Sequence, residues 1–590
     1  MSTNISGKKR EELISKINQI KTFIEQNAHD RNAANLLSYL GELTHEVNGK
    51  KYGLVFEEHR EAIDEKLENN APVFTEEKEL FIDGGGELNF LLEGDNLASL
   101  KLLEKTHRGK IDVIYIDPPY NTGKEDFIYD DNYIGEDDCF RHSKWTSFIS
   151  KRLEIARKLL SERGIIFISI DDNEYAPLKI LCDSIFGENN RLSTHHIQVR
   201  YSNKNLNEKK DFQECLEYVL IYAKNSSEFH ANRPNSEYRL DSFKYVITEK
   251  VKAKKQLIAG KEVEIFKQGE WEIKEVESNI NALKETWITG SIYSGTGHGK
   301  TYQKIVEPRL EEDGLQCLYK IFGLGEDGLG YRYFTGPQKL SAKKGKMFTG
   351  VPLIKREEIE SGIANKFSPI QNFYDFSPDF GNIRNEGGIG FNSGKKPVKM
   401  LKQFINYHKG KDITILDFFA GSGTTGHAVL KLNAEDGGHR KFILCTNNEN
   451  SICREITYER LKTVITGKRR DGSVYSDGLP GSLKYFKTDF IDISEKMYYE
   501  YADELLLHVK ELVELENAVN FDKDSSVAIV LSDEELEEFV EKVISTGSTT
   551  AITLYMGHDV LATGTQERIL KSHGIKVNVI PDYYYRELAL

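Results

Sequence analysis

Two apolar runs end in motifs that leave the backbone few choices. The first, IDVIYID (111–117), runs into Pro118, Pro119 and Tyr120; the second, DITILDFF (412–419), runs into Ala420, Gly421, Ser422 and Gly423. Short apolar runs bounded by turn residues predict buried strands. Consecutive prolines fix φ and remove two N–H donors, so the first strand ends in a stiff turn with free carbonyls. The glycines after the second allow a tight turn into a helix. Both motifs therefore belong at the carboxyl ends of strands in a parallel α/β sheet, where such folds bind ligands.

The surrounding pattern agrees. LNFLLEGDN (88–96), IIFISID (165–171) and KFILCTNNE (441–449) predict further strands. SFISKRLEIARKLLSERG (147–164) predicts an amphipathic helix stopped by Gly164, and helices are also predicted over 396–408 and from about Thr425. Strands separated by helices imply a parallel sheet. Leu13, Ile17, Ile20 and Phe23 recur at helical spacing within 8–46, predicting helices there. The rhythm breaks near residue 230, and 231–385 is rich in Gly, Lys, Tyr and Asn with short, poorly periodic segments. Strands at 527–533, 551–557 and 575–581, with helices between, predict a separate small α/β unit at the end. The expected organisation is a helical region (1–75), an α/β half (76–230), an irregular insertion (231–385), a second α/β half (386–490) and a C-terminal α/β domain (491–590).

Composition narrows the class. With 39% apolar and 29% charged residues among 590, the chain is neither collagenous, mostly disordered nor a small disulfide scaffold. No stretch approaches the ~18–20 uncharged apolar residues of a membrane span, and MSTNISGKKREE has no apolar leader core, so no membrane partner is expected. Six scattered cysteines without a CxxC pair read as reduced thiols of a cytoplasmic protein, with no metal site. The net charge of −14 argues against a polyanion partner, but its distribution does not. The first hundred residues carry 11 Lys/Arg against 19 Asp/Glu and the last hundred 8 against 20, leaving +6 between them. Residues 331–400 hold 12 Lys/Arg against 6 Asp/Glu. Electrostatic attraction to phosphates acts over about a Debye length, so such a local surface permits DNA binding.

Asp117, Pro118, Pro119 and Tyr120 together offer one carboxylate, rigid carbonyls and one aromatic face. That set suits a planar ligand bearing an amino group, with Asp117 and the Pro118 carbonyl accepting from the NH2 while Tyr120 stacks on the ring. An Asx-Pro turn with a surface tyrosine is the alternative. The glycine turn is less specific alone: Gly421, Gly423 and Gly426 match a dinucleotide-binding spacing, but no acid follows at about 20 residues. The nearest suitable acid is Glu449, after the next strand. A dinucleotide oxidoreductase stays open on this motif alone.

Taken as a pair, the strand-end DPPY and FxGxG motifs resemble those of S-adenosylmethionine-dependent amino methyltransferases, and in particular the adenine-specific DNA methyltransferases. DPPY precedes FxGxG by about 300 residues with an irregular region between, the order of the circularly permuted beta group. LLEGDNLASLKLL (91–103), IDVIYIDPPYNTG (111–123), GIIFISIDDNEY (164–175), ECLEYVLIYAK (214–224) and ILDFFAGSGTTGHAV (415–429) further resemble the modification subunits of Type III restriction–modification systems, over about residues 90–490.

The resemblance implies an α/β fold: a circularly permuted, Rossmann-like methyltransferase with a mostly parallel seven-stranded sheet, an inserted target-recognition domain and a small C-terminal α/β domain. Asp117, Pro118, Pro119 and Tyr120 match the catalytic motif; Phe418, Gly421 and Gly423 match the S-adenosylmethionine loop. Asp417 could hold the cofactor's ammonium through that loop or cap the helix. Glu449 is the ribose candidate, although Asn447 and Asn448 beside it blur the register, and Asp95 is the adenine candidate or a turn residue. Lys396 and Pro397 open a helix that in the family helps cover methionine. The implied substrate is double-stranded DNA with the target base flipped, the implied assembly a homodimer with a separate restriction subunit. Aspartate at 117 favours adenine over cytosine N4. An RNA substrate, a solitary methyltransferase and a DNA-recognition scaffold subunit remain alternatives. SGTGHGKT (294–301) is only a P-loop look-alike, having serine where the first glycine belongs. PDYYYRE (581–587) lacks the lysine of a PD…ExK nuclease.

Overall fold

In the computed structural model, the described residues are 5–27, 36–37, 39–40, 43–44, 59–123, 128–129, 132–133, 140–203, 211–288, 298–339, 341–342, 345–390, 394–494, 498–546, 551–581 and 584. Residues 294–297 of the P-loop look-alike lie outside them, as does most of 581–587. Contacts divide the chain into one unit of 1–232 with 371–590, and a second of 233–370.

The first unit is built on a ten-stranded sheet, larger than the seven strands expected. In chain order its strands are β1 (Asn70–Glu76), β2 (Leu88–Glu93), β3 (Ile111–Ile116), β4 (Leu160–Ile170), β5 (Arg191–Gln198), β6 (Leu216–Ala223), β7 (Phe373–Asp375), β8 (Thr414–Asp417), β9 (Lys441–Thr446) and β10 (Ser482–Asp492). Across the sheet they run β1-β10-β2-β9-β8-β3-β4-β6-β5-β7. Only β1 and β6 run against the others. The extra strands are β1 and β10 at one edge and β7 at the other. Because β7 pairs with β5, residues from 371 onward pack with this unit and not with the insertion.

Helices cover both faces, and the period-two geometry of the strands sorts the core residues between them. Ile114, Ile116, Ile166 and Ile168 join one apolar cluster with Leu97, Leu100 and Leu103 of α1 (Asn96–His107) and Trp145, Ile149 and Leu153 of α2 (Arg141–Leu159). Tyr115 and Phe167 alternate with these and stack on Phe404 of α3 (Val398–Ile405). The helix α4 (Thr424–Asp436) follows the glycine turn. The helix expected to end at Gly164 ends at Leu159, because Leu160 already pairs with Ile111 at the start of β4.

The C-terminal strands Val527–Val530, Thr553–Met556 and Lys576–Val579 form a parallel three-stranded sheet. That region is not detached as expected: Val509, Leu512, Ile580 and Tyr584 share the large core with α1 and α2. The buried ammonium of Lys484 on β10 also bonds Glu514 at 2.6 Å, tying the helix Val509–Asn517 to the sheet.

The second unit corrects the irregular reading of 231–385. It contains an eight-stranded sheet in the order Gln256–Ile258, Lys261–Phe266, Leu318–Phe322, Tyr331–Thr335, Lys346–Thr349, Leu283–Trp287, Phe243–Glu249 and Trp271–Glu275. Every neighbouring pair is antiparallel. The strands are three to seven residues long and several are half-exposed, which erases the clean alternation that would have marked them.

Candidate active site

β8 and β3 lie side by side at the centre of the first sheet, with Ile415 opposite Val113 and Leu416 opposite Ile114. From β8 the chain passes through α4 to β9 on one side; from β3 it passes through α2 to β4 on the other. Divergence of the connections opens a crevice at the strands' carboxyl ends, the usual ligand site of an open α/β sheet. Asp417 ends β8, and Asp117 follows β3, so residues 300 apart in sequence become neighbours across this crevice.

The DPPY turn is held from several directions. Trp145 on α2 donates its indole N–H to the Pro119 carbonyl at 2.7 Å. Asn121, the next residue, takes a left-handed φ of 55° and bonds the fully buried Glu174. No hydrogen bond uses the Pro118 carbonyl among the described residues.

Asp117 itself belongs to a four-residue cluster. Tyr120 Oη lies 2.9 Å from Asp117 Oδ1 and 3.0 Å from Glu217 Oε2. Lys396 Nζ lies 3.1 Å from Asp117 Oδ1, 2.9 Å from Glu217 Oε2 and 2.7 Å from Tyr120 Oη. Burial raises the Asp117 pKa; Lys396 opposes that rise and Glu217 adds to it. Burial alone would lower the Lys396 pKa, but Asp117 and Glu217 carry it upward, so the ammonium stays charged. Burial and the two carboxylates push the Tyr120 phenol well above its ordinary range.

Glu217 was not singled out from sequence, and it could have been. It sits near the start of β6, within ECLEYVLIYAK. An antiparallel strand brings its amino end to the edge where parallel strands finish: Tyr218 pairs with Ile170 at the end of β4. Lys396 precedes α3, whose N-cap is Pro397. The structure places its ammonium against Asp117.

The glycine loop is built beside this cluster. Gly421 and Gly423 take φ of 48° and 72°, left-handed conformations that favour glycine, and Gly423 caps α4. A Cβ on Gly421 would meet only the Phe419 carbonyl, at 3.8 Å, whereas one on Gly423 would press on Thr457 at 3.1 Å. Asp417 is buried and both its oxygens are engaged within the loop, by the Phe419 N–H at 3.0 Å and the Thr425 hydroxyl at 2.5 Å. Burial pushes its pKa up to about 7. Phe418 is buried, and its carbonyl accepts from Asn96 at 3.0 Å.

Arg460, absent from the sequence reading, locks this loop from within the core. Its guanidinium donates to the Ser422 and Thr424 hydroxyls at 3.1 and 2.7 Å and pairs with Glu386 at 3.3 Å. Glu386 in turn accepts from the Val398 N–H at the start of α3. One buried cation thereby joins the glycine loop to the segment carrying Lys396.

The two remaining predicted residues behave differently. Asp95 caps α1, its Oδ1 accepting from Leu97 and Ala98 N–H groups at 2.8 and 3.1 Å. Glu449 lies three residues past the end of β9, is exposed, and has no side-chain hydrogen bond or ion pair among the described residues. Asn450 and Ser451 after it are both left-handed, with φ of 49° and 60°.

Comparison with known proteins gives this geometry a family. The DNA methylase family matches residues 111–464, which contain both motifs and Glu217. The Mod subunit of the Type III restriction–modification enzyme StyLTI of Salmonella typhimurium is 32% identical over 411 residues, 64% of this chain and 55% of that protein. This chain thus spans about half the length of that relative. The Type II methyltransferase M.KpnI of Klebsiella pneumoniae is 32% identical over 412 residues, 68% of this chain and 90% of that protein. The solved PvuII cytosine-N4-specific DNA methyltransferase aligns at 12% identity and a TM-score of 0.29, over 62% of this chain and 84% of that one. From the family match over more than half its length, the chain belongs to the DNA methylase family.

Proposed function

We propose that this chain is an S-adenosylmethionine-dependent, site-specific DNA methyltransferase acting on adenine N6, and that it serves as the modification subunit of a Type III restriction–modification system. One observation carries the chemistry. A carboxylate oxygen, Asp117 Oδ2, and the Pro118 carbonyl, neither of which accepts a hydrogen bond among the described residues, flank a stiff turn beside a glycine loop at the centre of the sheet. Two such acceptors side by side match an exocyclic NH2.

The loop residues fit the cofactor. Gly421 leaves room where a side chain would stand, bounded only by the Phe419 carbonyl, and Glu449 is an exposed carboxylate suited to two ribose hydroxyls. Phe418, Gly421, Gly423 and Glu449 would hold the cofactor, with Asp417 acting through the loop that it braces. Asp95 is occupied as a cap through Oδ1, and its Oδ2 lies 3.7 Å from the buried Arg152 guanidinium, so it would meet an adenine edge only through an oxygen shared with that cation. When bound, S-adenosylmethionine supplies an electrophilic methyl group. The chain's own residues do the rest. Hydrogen bonds from N6 to Asp117 and to the Pro118 carbonyl localise a lone pair otherwise delocalised into the ring, and positioning is the main catalytic contribution. Tyr120 replaces stacking lost when the base leaves the duplex.

The fold reading is a circularly permuted one. The cofactor-side strands β8 and β9 come late in the chain yet sit between the early strands β2 and β3. The unit 233–370 is the target-recognition domain in this reading, and its exposed Trp287, with the Lys346 ammonium 3.7 Å above its ring, is the kind of aromatic–cationic surface that meets nucleic acid. The chain would act in the cytoplasm as a homodimer and leave cleavage to a separate restriction subunit. No helix among the described residues is long and apolar enough to cross a membrane.

Incubation of the purified chain with methyl-labelled S-adenosylmethionine and duplex plasmid DNA, followed by digestion to nucleosides, tests the reading. Label in N6-methyldeoxyadenosine supports it. Label only in N4-methyldeoxycytidine, or only in RNA supplied in parallel, contradicts it.

A further inference from the structure

Each acidic partner in the Asp117 cluster offers one oxygen to the same two donors. Asp117 Oδ1 and Glu217 Oε2 both face Tyr120 Oη and Lys396 Nζ, at 2.9 to 3.1 Å. Lys396 thereby donates to Glu217 and Tyr120 while its ammonium pairs with Asp117, and its side chain is only 8% exposed. A buried ammonium in such a position would settle on a single carboxylate if only one were present, because charge-assisted hydrogen bonds are strong where water is scarce. That carboxylate would be Asp117, and the ammonium would occupy the place that an amino group must take.

We propose that Glu217 is a positioning residue for the reacting amine: it shares the Lys396 ammonium and the Tyr120 hydroxyl, so that Asp117 keeps acceptor capacity for the NH2 of the target base. The inference rests on the reading that Asp117 receives that amine. Two carboxylates against one ammonium also leave the cluster with a net negative charge, which suits a nitrogen becoming positive as it is alkylated. Without Glu217 the cluster is neutral and Lys396 competes with substrate. Both effects lower kcat. The charged and titratable groups facing Asp117 are Lys396, Glu217, Tyr120, Tyr115 and Asp417. Of these, the neighbouring Glu217 carboxylate opposes ionisation of Asp117.

The test compares Glu217→Gln, Glu217→Asp and the double variant Glu217→Gln/Lys396→Gln in methylation of plasmid DNA by the full chain, with thermal unfolding recorded for each. Glu217→Gln should lower kcat about 10- to 100-fold, the range for losing a hydrogen bond to a charged group, with KM for DNA unchanged. Its acid limb in kcat should move to lower pH, since Asp117 loses a like-charged neighbour. Glu217→Asp should recover most of the rate. The double variant should be faster than Glu217→Gln alone, because the competing ammonium is gone. A merely structural role predicts additive losses and an unmoved acid limb, and either would overturn the proposal. So would full kcat in Glu217→Gln. If the wild-type chain methylates adenine and Asp117→Ala does not, such results reject Glu217 alone; if the wild-type chain methylates no adenine, the underlying reading falls with it.

Discussion

The Asp417 carboxylate accepts a hydrogen bond from the Thr425 hydroxyl at 2.5 Å, across the glycine turn that separates β8 from α4. With the Phe419 N–H on its other oxygen, this acid is part of the loop's internal frame. Its pKa of about 7 against an ordinary value near 4 gives a sign to the pH dependence. The folded state holds the proton more tightly, so the associated stability is present below about pH 4 and is lost as pH rises through about 7. Asp417→Asn keeps an acceptor for Phe419 and can donate to Thr425. Its stability relative to wild type should therefore rise across that window, by on the order of 2–4 kcal/mol. Urea unfolding at pH 5 and pH 8 checks this; a difference independent of pH would contradict it.

Arg460 is the loop's buried counterpart. Its side chain is fully buried, and burial lowers its pKa to about 10 against the pull of Glu386. Arg460→Met should strand Glu386 and the Ser422 and Thr424 hydroxyls, costing about 3–5 kcal/mol of stability. Removing both charges with Arg460→Met/Glu386→Leu should cost less than Arg460→Met alone. Denaturant midpoints for the two variants measure the difference, and equal losses would show that the pair does not act as a unit.

The two loop glycines separate strain from access. Gly423→Ala combines a left-handed φ with contact on Thr457 and should lose about 1–2 kcal/mol or more of stability. Gly421→Ala carries the conformational cost without a clash, since its Cβ enters a space bounded only by the Phe419 carbonyl at 3.8 Å, an ordinary van der Waals distance. If that space belongs to the cofactor, Gly421→Ala should weaken S-adenosylmethionine binding out of proportion to its effect on stability. Calorimetric titration beside thermal unfolding decides it.

The strand ends were legible in sequence because local chemistry writes them: prolines after Asp117, glycines after Phe418, apolar runs before both. Pairs joined only by the fold were not. Glu217 and Lys396 are 179 residues apart and meet because β6 runs backward, a direction that apolar patterning does not record. Arg460 looks like any helical arginine until Glu386 and the Ser422 and Thr424 hydroxyls surround it. The eight-stranded unit was missed for another reason. Trp287 and Val246 are exposed strand residues, so hydrophobicity there marks neither face cleanly.

The central claim is that Asp117 directs a methyl group to adenine N6 at a specific DNA site. Single-molecule sequencing of plasmid DNA from cells expressing this chain, beside cells expressing Asp117→Ala, tests it most directly. The account predicts N6-methyladenine confined to one short motif and on one strand, absent from the Asp117→Ala plasmid. Unmethylated adenine in both, or the same methylation in the variant, would contradict it.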